Sequence, residues 1–260
     1  MRALLPDPFL RRPIAHRALH DSEAGRPENG PSAIEAAAVA GYGIEIDLQL
    51  SGDGVPMVFH DYRLDRLTEA TGAIASVRAR ELETLRLLGS DDRIARLERV
   101  LELIDGRVPL LVEIKDQAAV AGPGPLERAA ASVLSRYSGP VAVMSFAPDS
   151  IAEMAAAAPT LARGLVTCPF SPEQTPDLAP ERRAALRDIV DFERVGASFI
   201  SHQADDLQRP RVGELRASGW PVLCWTVRSE AEARAARAFA DNITFEGFRP
   251  ALDPSSARTN

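Results

Sequence analysis

Cysteine is nearly absent from this chain. Cys168 and Cys224 are the only two in 260 residues, far apart and each set in an apolar stretch. That spacing excludes a disulfide framework and a CxxC metal motif, and it leaves buried free thiols as the expectation. Long hydrophobic runs are missing too. No segment approaches membrane-span length, and the stretch before Pro13 has no apolar run of signal-peptide length, so the expected setting is the cytoplasm with no stable membrane anchor. An excess of positive charge is also lacking. The formal net charge of −7 argues against nucleic acid as a partner, because nothing basic is concentrated enough to neutralise a phosphate backbone. A small phosphate ester remains possible, since a bound dication can reverse the local field. Finally, the chain has no glycine-rich phosphate loop, no nucleophilic serine elbow and no HExxH. Nothing in the sequence reads out an oligomeric state.

What is present is an alternation. Strand-like apolar runs occur at Pro13–Arg17, Gly43–Leu50, Pro109–Lys115, Val141–Phe146, Ala162–Val166, Ser198–Ser201, Pro221–Val227 and Asn242–Phe245. Helical patterns fill the gaps at Pro31–Ala40, Leu97–Ile104, Pro125–Tyr137, Ala147–Ala157, Pro180–Glu193, Leu207–Ser218 and Ser229–Phe239, several with proline or Ser-Glu start signals. Strands alternating with helices imply parallel β-α units. Eight such strands in this length predict an α/β fold, a single (β/α)8 TIM barrel spanning 1–260, with a doubly wound open sheet as the alternative. Val55–His60 breaks the rhythm. Only Ser51-Gly-Asp-Gly54 separates it from the preceding strand, too short for a parallel crossover, so the pair should be an antiparallel hairpin extending the second barrel strand. The hairpin would carry His60 back over the barrel mouth. The polar, turn-rich stretch after it, Asp61–Arg96, reads as a small cap with one helical pattern at Ala79–Leu88.

The chemistry concentrates at strand ends. In Gly43-Ile-Glu-Ile-Asp-Leu-Gln-Leu50, Glu45 and Asp47 share one face, where like charges raise each other's pKa unless a cation lies between them. Leu110-Leu-Val-Glu-Ile-Lys115 repeats the theme with Glu113 and Lys115, flanked by aliphatic residues that imply burial. Buried, they need partners: a metal would satisfy Glu113 and a phosphate would satisfy Lys115. Of four histidines, His16 and His60 close strands, and strand C-termini line the mouth where barrel enzymes build their sites. His20 and His202 read as loop residues. Trp225 is expected on the same face as Leu223 and Val227, either in the core or as a wall for a small organic group. Arg26-Pro-Glu-Asn-Gly30 alone reads as loop and cap chemistry.

In this order, His16-Arg17, Pro27-Glu-Asn29, Ile44-Glu-Ile-Asp47, Asp53-Gly54, Val58-Phe-His-Asp61 with Leu64-Asp-Arg66, Glu113-Ile-Lys115, Ser145-Phe146 and Trp225-Thr-Val227 resemble the glycerophosphodiester phosphodiesterase family. A more distant likeness is to phosphatidylinositol-specific phospholipase C. The resemblance spans most of the chain and implies a TIM barrel with an insertion after the His-Asp pair. It implies a divalent cation, Mg²⁺ or Ca²⁺, on Glu45, Asp47 and Glu113, with His16 and His60 as the acid–base pair. Arg17 and Lys115 would bind phosphate oxygens, Glu28 would support them, and Trp225 would flank the glycerol. The implied reaction releases sn-glycerol 3-phosphate and an alcohol from a small phosphodiester. Lysophospholipids or another glycerol or sugar phosphodiester are the alternative substrates, and a non-catalytic binding barrel is the alternative class. Departures are Ala18 where relatives usually have glycine, a longer loop over Leu19–Arg26, Gly30-Pro31 in place of a threonine-led start, Arg228 where asparagine is common, and Ile243-Thr-Phe-Glu-Gly247 in place of an aspartate-containing final motif.

Overall fold

The strand–helix alternation expected from the sequence is what folds. In the computed structural model, which describes residues 2–117 and 121–252, a short helix α1 (Pro8–Arg11) precedes strand β1 (Ile14–Ala15), helix α2 (Pro31–Ala40) and strand β2 (Gly43–Leu50). Strand β3 (Pro56–Val58), helix α3 (Ala79–Leu82) and strand β4 (Ala95–Arg96) follow, then α4 (Leu97–Ile104), β5 (Leu110–Ile114), α5 (Pro125–Leu134), β6 (Val141–Ser145) and α6 (Pro148–Ala157). The chain continues through β7 (Ala162–Thr167), α7 (Pro180–Arg187), β8 (Phe199–Gln203), α8 (Pro210–Ala217), β9 (Val222–Val227), α9 (Glu230–Ala236) and β10 (Asn242–Phe245). Parallel pairing runs β1-β2-β5-β6-β7-β8-β9-β10, and β10 returns to β1, so the sheet closes. The open-sheet alternative is excluded by that last pairing.

Local chemistry sets the elements. Helices α2, α5, α6, α7 and α8 each begin on proline, whose fixed φ suits a first turn and whose missing N–H would have been unpaired there anyway. Helix α2 stops at Gly41, left-handed at φ 83°, whose N–H reaches the carbonyls of Ala37 and Ala38. Helix α4 buries Leu97, Val100, Leu101 and Ile104, a single face at helical spacing. Several helices are shorter than their sequence patterns. Ser229, for instance, is the cap of α9 and accepts a hydrogen bond from the Glu232 N–H.

Two cores result, one on each side of the barrel wall. Outside, Ile44, Ile46 and Leu48 of β2 pack with Ala33, Ile34 and Ala37 of α2, each large side chain contributing about 1.5–3 kcal/mol by burial. Inside, Ile14, Leu111, Ala142, Met144, Ala162, Val166, Phe199 and Leu223 fill the lower barrel, and Leu5 and Phe9 plug it from below. Gly164 is required there: a Cβ would lie 2.4 Å from the Phe199 ring. Above this apolar layer the interior turns polar, and β2 presents Glu45, Asp47 and Gln49, all buried.

The hairpin forms as expected. Strand β3 runs antiparallel to β2, Leu48 opposite Val58, and β4 extends the ribbon antiparallel to β3. The cap is less polar than its sequence suggests. Met57, Phe59, Leu64, Ile74, Leu82, Leu87 and Ile94 form a separate small core beneath its loops. Its helical part ends at Leu82, short of Leu88.

Two expectations are corrected. His202 lies within β8, fully buried, between the Thr167 hydroxyl (2.7 Å) and Asp206 (3.1 Å), because β8 continues to Gln203. Val227 does not share a face with Leu223. The β9–β10 register slips between Cys224 and Val227, adding a residue that sends Val227 to the outer core while Leu223 stays in the inner one.

Candidate active site

At the C-terminal rim of the barrel the carboxylates on β2 and β5 converge. Asp47 stands opposite Glu113 in the parallel register, and single oxygens of Glu45, Asp47 and Glu113 all lie within 4.8 Å of one another. Lys115, one residue beyond β5, places its Nζ 2.7 Å from Asp47 Oδ1 and 2.6 Å from Glu113 Oε1. It is the only lysine in a chain whose other basic side chains are all arginine. Its compact ammonium, on a flexible stem, meets both buried carboxylates at once.

A tight turn brings in the next cation. Arg17 and Ala18 are left-handed (φ 52° and 68°), so the chain doubles back after β1 and the Arg17 N–H meets Glu45 Oε2 at 2.7 Å. The Arg17 guanidinium then reaches Glu28 at 2.8 Å and Asp47 at 3.8 Å. Asn29, also left-handed, donates Nδ2 to Asp47 Oδ2 (2.8 Å) and accepts the Asp47 N–H on Oδ1 (3.2 Å). Arg17, Glu28 and Asn29 come from loops, which explains why periodicity gave Glu28 no role and Asn29 was missed.

The electrostatics point to a missing positive charge. Burial, and then Asp47 and Glu113, push the Glu45 carboxyl well above the usual carboxylate range. Burial acts the same way on Asp47, but Lys115, His60 and Arg17 outweigh it and hold that carboxyl well below the usual range. Lys115 stays protonated despite its burial because Asp47 and Glu113 face it. Glu45 Oε1 is buried with no hydrogen-bond partner. Three converging carboxylates, one ammonium and an orphaned oxygen fit a hard divalent cation with oxygen ligands.

Each strand-end histidine is tied to a carboxylate. His60 Nδ1 lies 2.6 Å from Asp61 Oδ1, and Asp61 is gripped by Arg66 through Nε (2.6 Å) and a terminal nitrogen (2.8 Å). Arg66 also forks onto Glu28 at 2.7 and 2.8 Å, so the cap and the Arg17 turn are joined. His16 Nδ1 lies 2.6 Å from Glu246 Oε2, just past β10. Burial pushes the His60 imidazole down, reinforced by Lys115 and Arg17 and opposed by Asp47. Asp61 and Arg66 belong to the matching motif but had no assigned role, and Glu246 was visible only as a departure from it.

Trp225 is on the far wall. Its Nε1 donates to the Ser201 carbonyl (3.0 Å), and its ring meets Phe146 edge-on at 5.5 Å. Phe146 in turn lines a groove of about 280 Å³ with His60, Tyr62, Glu113 and Lys115.

Residues 16–243 match the model of the glycerophosphoryl diester phosphodiesterase family. The chain belongs to that family. Glycerophosphodiester phosphodiesterase 1 of Bos taurus is 27% identical over 242 residues, covering 83% of this chain and 71% of that protein. A phosphodiesterase from Oleispira antarctica, solved in complex with the product sn-glycerol-3-phosphate, superposes with a TM-score of 0.73 at 26% identity over 92% of this chain and 93% of that one. The glycerophosphodiester phosphodiesterase from Thermotoga maritima shares the fold with a TM-score of 0.67 at 22% identity, over 89% of this chain and 92% of that one. As a member of the glycerophosphoryl diester phosphodiesterase family, this chain is a phosphoric diester hydrolase.

Proposed function

We propose that the protein hydrolyses small glycerophosphodiesters to sn-glycerol 3-phosphate and an alcohol, with a divalent cation, Mg²⁺ or Ca²⁺, held by Glu45, Asp47 and Glu113. The observation that carries this reading is the buried carboxylate triad with an orphaned oxygen, set beside Lys115 and Arg17 and accompanied by two carboxylate-tethered histidines. When bound, such a cation supplies Lewis-acid neutralisation of a phosphate oxygen. The Lys115 ammonium and Arg17 guanidinium bind the remaining phosphate oxygens and neutralise charge that grows in the transition state. Glu28 holds Arg17 in place for that task, 2.8 Å from its guanidinium.

His16 and His60 move the protons. With Nδ1 of each ring engaged by a carboxylate, Nε2 is the nitrogen left to meet substrate. One imidazole takes the proton of the attacking oxygen, and the other gives a proton to the departing alcohol. The same two transfers serve a cyclic-phosphate path begun by the neighbouring glycerol hydroxyl and direct attack by water. Trp225 and Phe146 form the apolar wall for the glycerol carbons. Apart from the exposed Tyr62 and Leu88, the cap keeps most of its large apolar side chains in its own core, which favours small polar alcohols over lysophospholipid acyl chains.

Two free, buried thiols suit a reducing compartment, the cytoplasm in this reading. No helix among the described residues is long and apolar enough to cross a membrane.

Purified protein with Mg²⁺ or Ca²⁺ should release glycerol phosphate from glycerophosphocholine or glycerophosphoethanolamine, faster than from lysophosphatidylcholine, and EDTA should abolish turnover. His16→Ala and His60→Ala should each lower kcat by roughly 100-fold or more with folding intact. A diester panel without turnover in either metal would end the proposal, and unchanged rates in both variants would end the histidine roles.

A further inference from the structure

We propose that Arg228, acting through Glu246, is a positioning residue that holds His16 in the tautomer needed for proton transfer; this rests on the role given to His16 above. Glu246 faces three side chains, two from the segment after β1 and one from just past β9. Its Oε2 takes His16 Nδ1 at 2.6 Å and lies 3.8 Å from His20 Nε2. Its Oε1 takes the Arg228 guanidinium through Nε at 2.8 Å and a second nitrogen at 2.6 Å. Arg228 is itself pinned, because its backbone N–H donates to Glu232 Oε2 at 2.7 Å at the start of α9.

Arg228 and Glu246 each stand one residue past neighbouring strands, β9 and β10, and they meet each other. A glutamate has one more rotatable bond than aspartate, so an unheld Glu246 would sample rotamers in which its carboxylate leaves His16. Arg228 fixes the oxygen that His16 does not use. The guanidinium side chain is 60% exposed, and an ion pair so exposed does little for stability. Its consequence is orientation. With Nδ1–H donated to Glu246, the proton exchanged with a substrate oxygen moves on and off Nε2, and the ring's gained positive charge is balanced by the Glu246 carboxylate. The hydrogen bond from His16, followed by the nearby His20 ring, holds this carboxyl well below the usual range, which keeps it ionised in that cycle.

The test combines kinetics with the ¹⁵N signals of the chain's four histidines. Glu246→Gln should lower kcat by roughly 100-fold, and Arg228→Gln by roughly tenfold, with KM within about twofold in both. Because Arg228 acts through Glu246, the double variant should be no slower than Glu246→Gln alone. In Arg228→Gln the His16 signals, assigned by their loss in His16→Gln, should move from a single Nδ1–H tautomer to a mixture, while those of His60 stay put. Unchanged kcat and unchanged His16 signals in Arg228→Gln would overturn the proposal. So would effects of the two single substitutions that simply multiply. An inactive wild-type enzyme would instead count against the reaction proposed above, and the tautomer measurement would still judge the clamp.

Discussion

Asp61 shows how a side chain outside the metal and phosphate groups shapes the site. It stands between His60 and Arg66, and the hydrogen bond from Arg66, followed by that from His60 and opposed by burial, brings its carboxyl down to about 2. The folded pKa is therefore below that of the unfolded chain, near 3.8. Its stabilising contribution is complete above that unfolded value and disappears as pH falls through about 2. Asp61→Asn should flatten the stability–pH curve of the enzyme in this acid window, measured by urea unfolding at stepped pH; an acid limb identical to wild type would refute the assignment. Residue identity was legible where chemistry is rare. Glu45, Asp47 and Glu113 stood out as carboxylates in aliphatic strands, and Lys115 could have been singled out further as the only lysine. Asn29 and Glu246 offered no such signal, because an Asn in a loop and a Glu before a glycine are ordinary.

Elements place these side chains, and the least conspicuous elements matter. Helix α1 was not expected from a four-residue stretch rich in proline and arginine, yet Phe9 from it is fully buried beneath the barrel. Asn242 on β10 secures that plug by donating Nδ2 to the carbonyls of Phe9 and Arg12, both at 2.7 Å. Phe9→Ala should cost about 3–5 kcal/mol of unfolding free energy by opening a cavity at the barrel floor. Chemical denaturation measures this, and a loss below about 1 kcal/mol would mean the plug is dispensable. The cap teaches a related lesson. Outside the helical pattern at Ala79–Leu88 its apolar residues follow neither a helical nor a strand period, so most of it reads as polar loop, while folding gathers Leu64, Ile74, Leu82 and Ile94 into a core. That core holds the ribbon that presents His60 and Asp61, and it sends Arg66 across to Glu28.

Across the whole molecule, the barrel interior divides into an apolar floor and a charged mouth, and the mouth carries more buried negative charge than Lys115 offsets. A divalent cation bound there should stabilise the fold by mass action, by about 2.7 kcal/mol at 100 times its dissociation constant. Thermal unfolding in saturating Mg²⁺ or Ca²⁺ should rise by several degrees over EDTA-treated protein, and Glu45→Gln should shrink the rise; no shift with either ion would argue against the carboxylate triad as a metal site. The sequence by itself determined the repeating strand–helix units, the antiparallel hairpin and the carboxylates on one strand face, because these depend on residue spacing over a few positions. Tertiary structure alone decided barrel closure through the β10–β1 pairing, the tie of His16 to Glu246 across 230 residues, and the side of the wall on which Val227 packs. Those depend on which distant segments become neighbours and on a one-residue slip in register, and neither leaves a periodic trace in the chain.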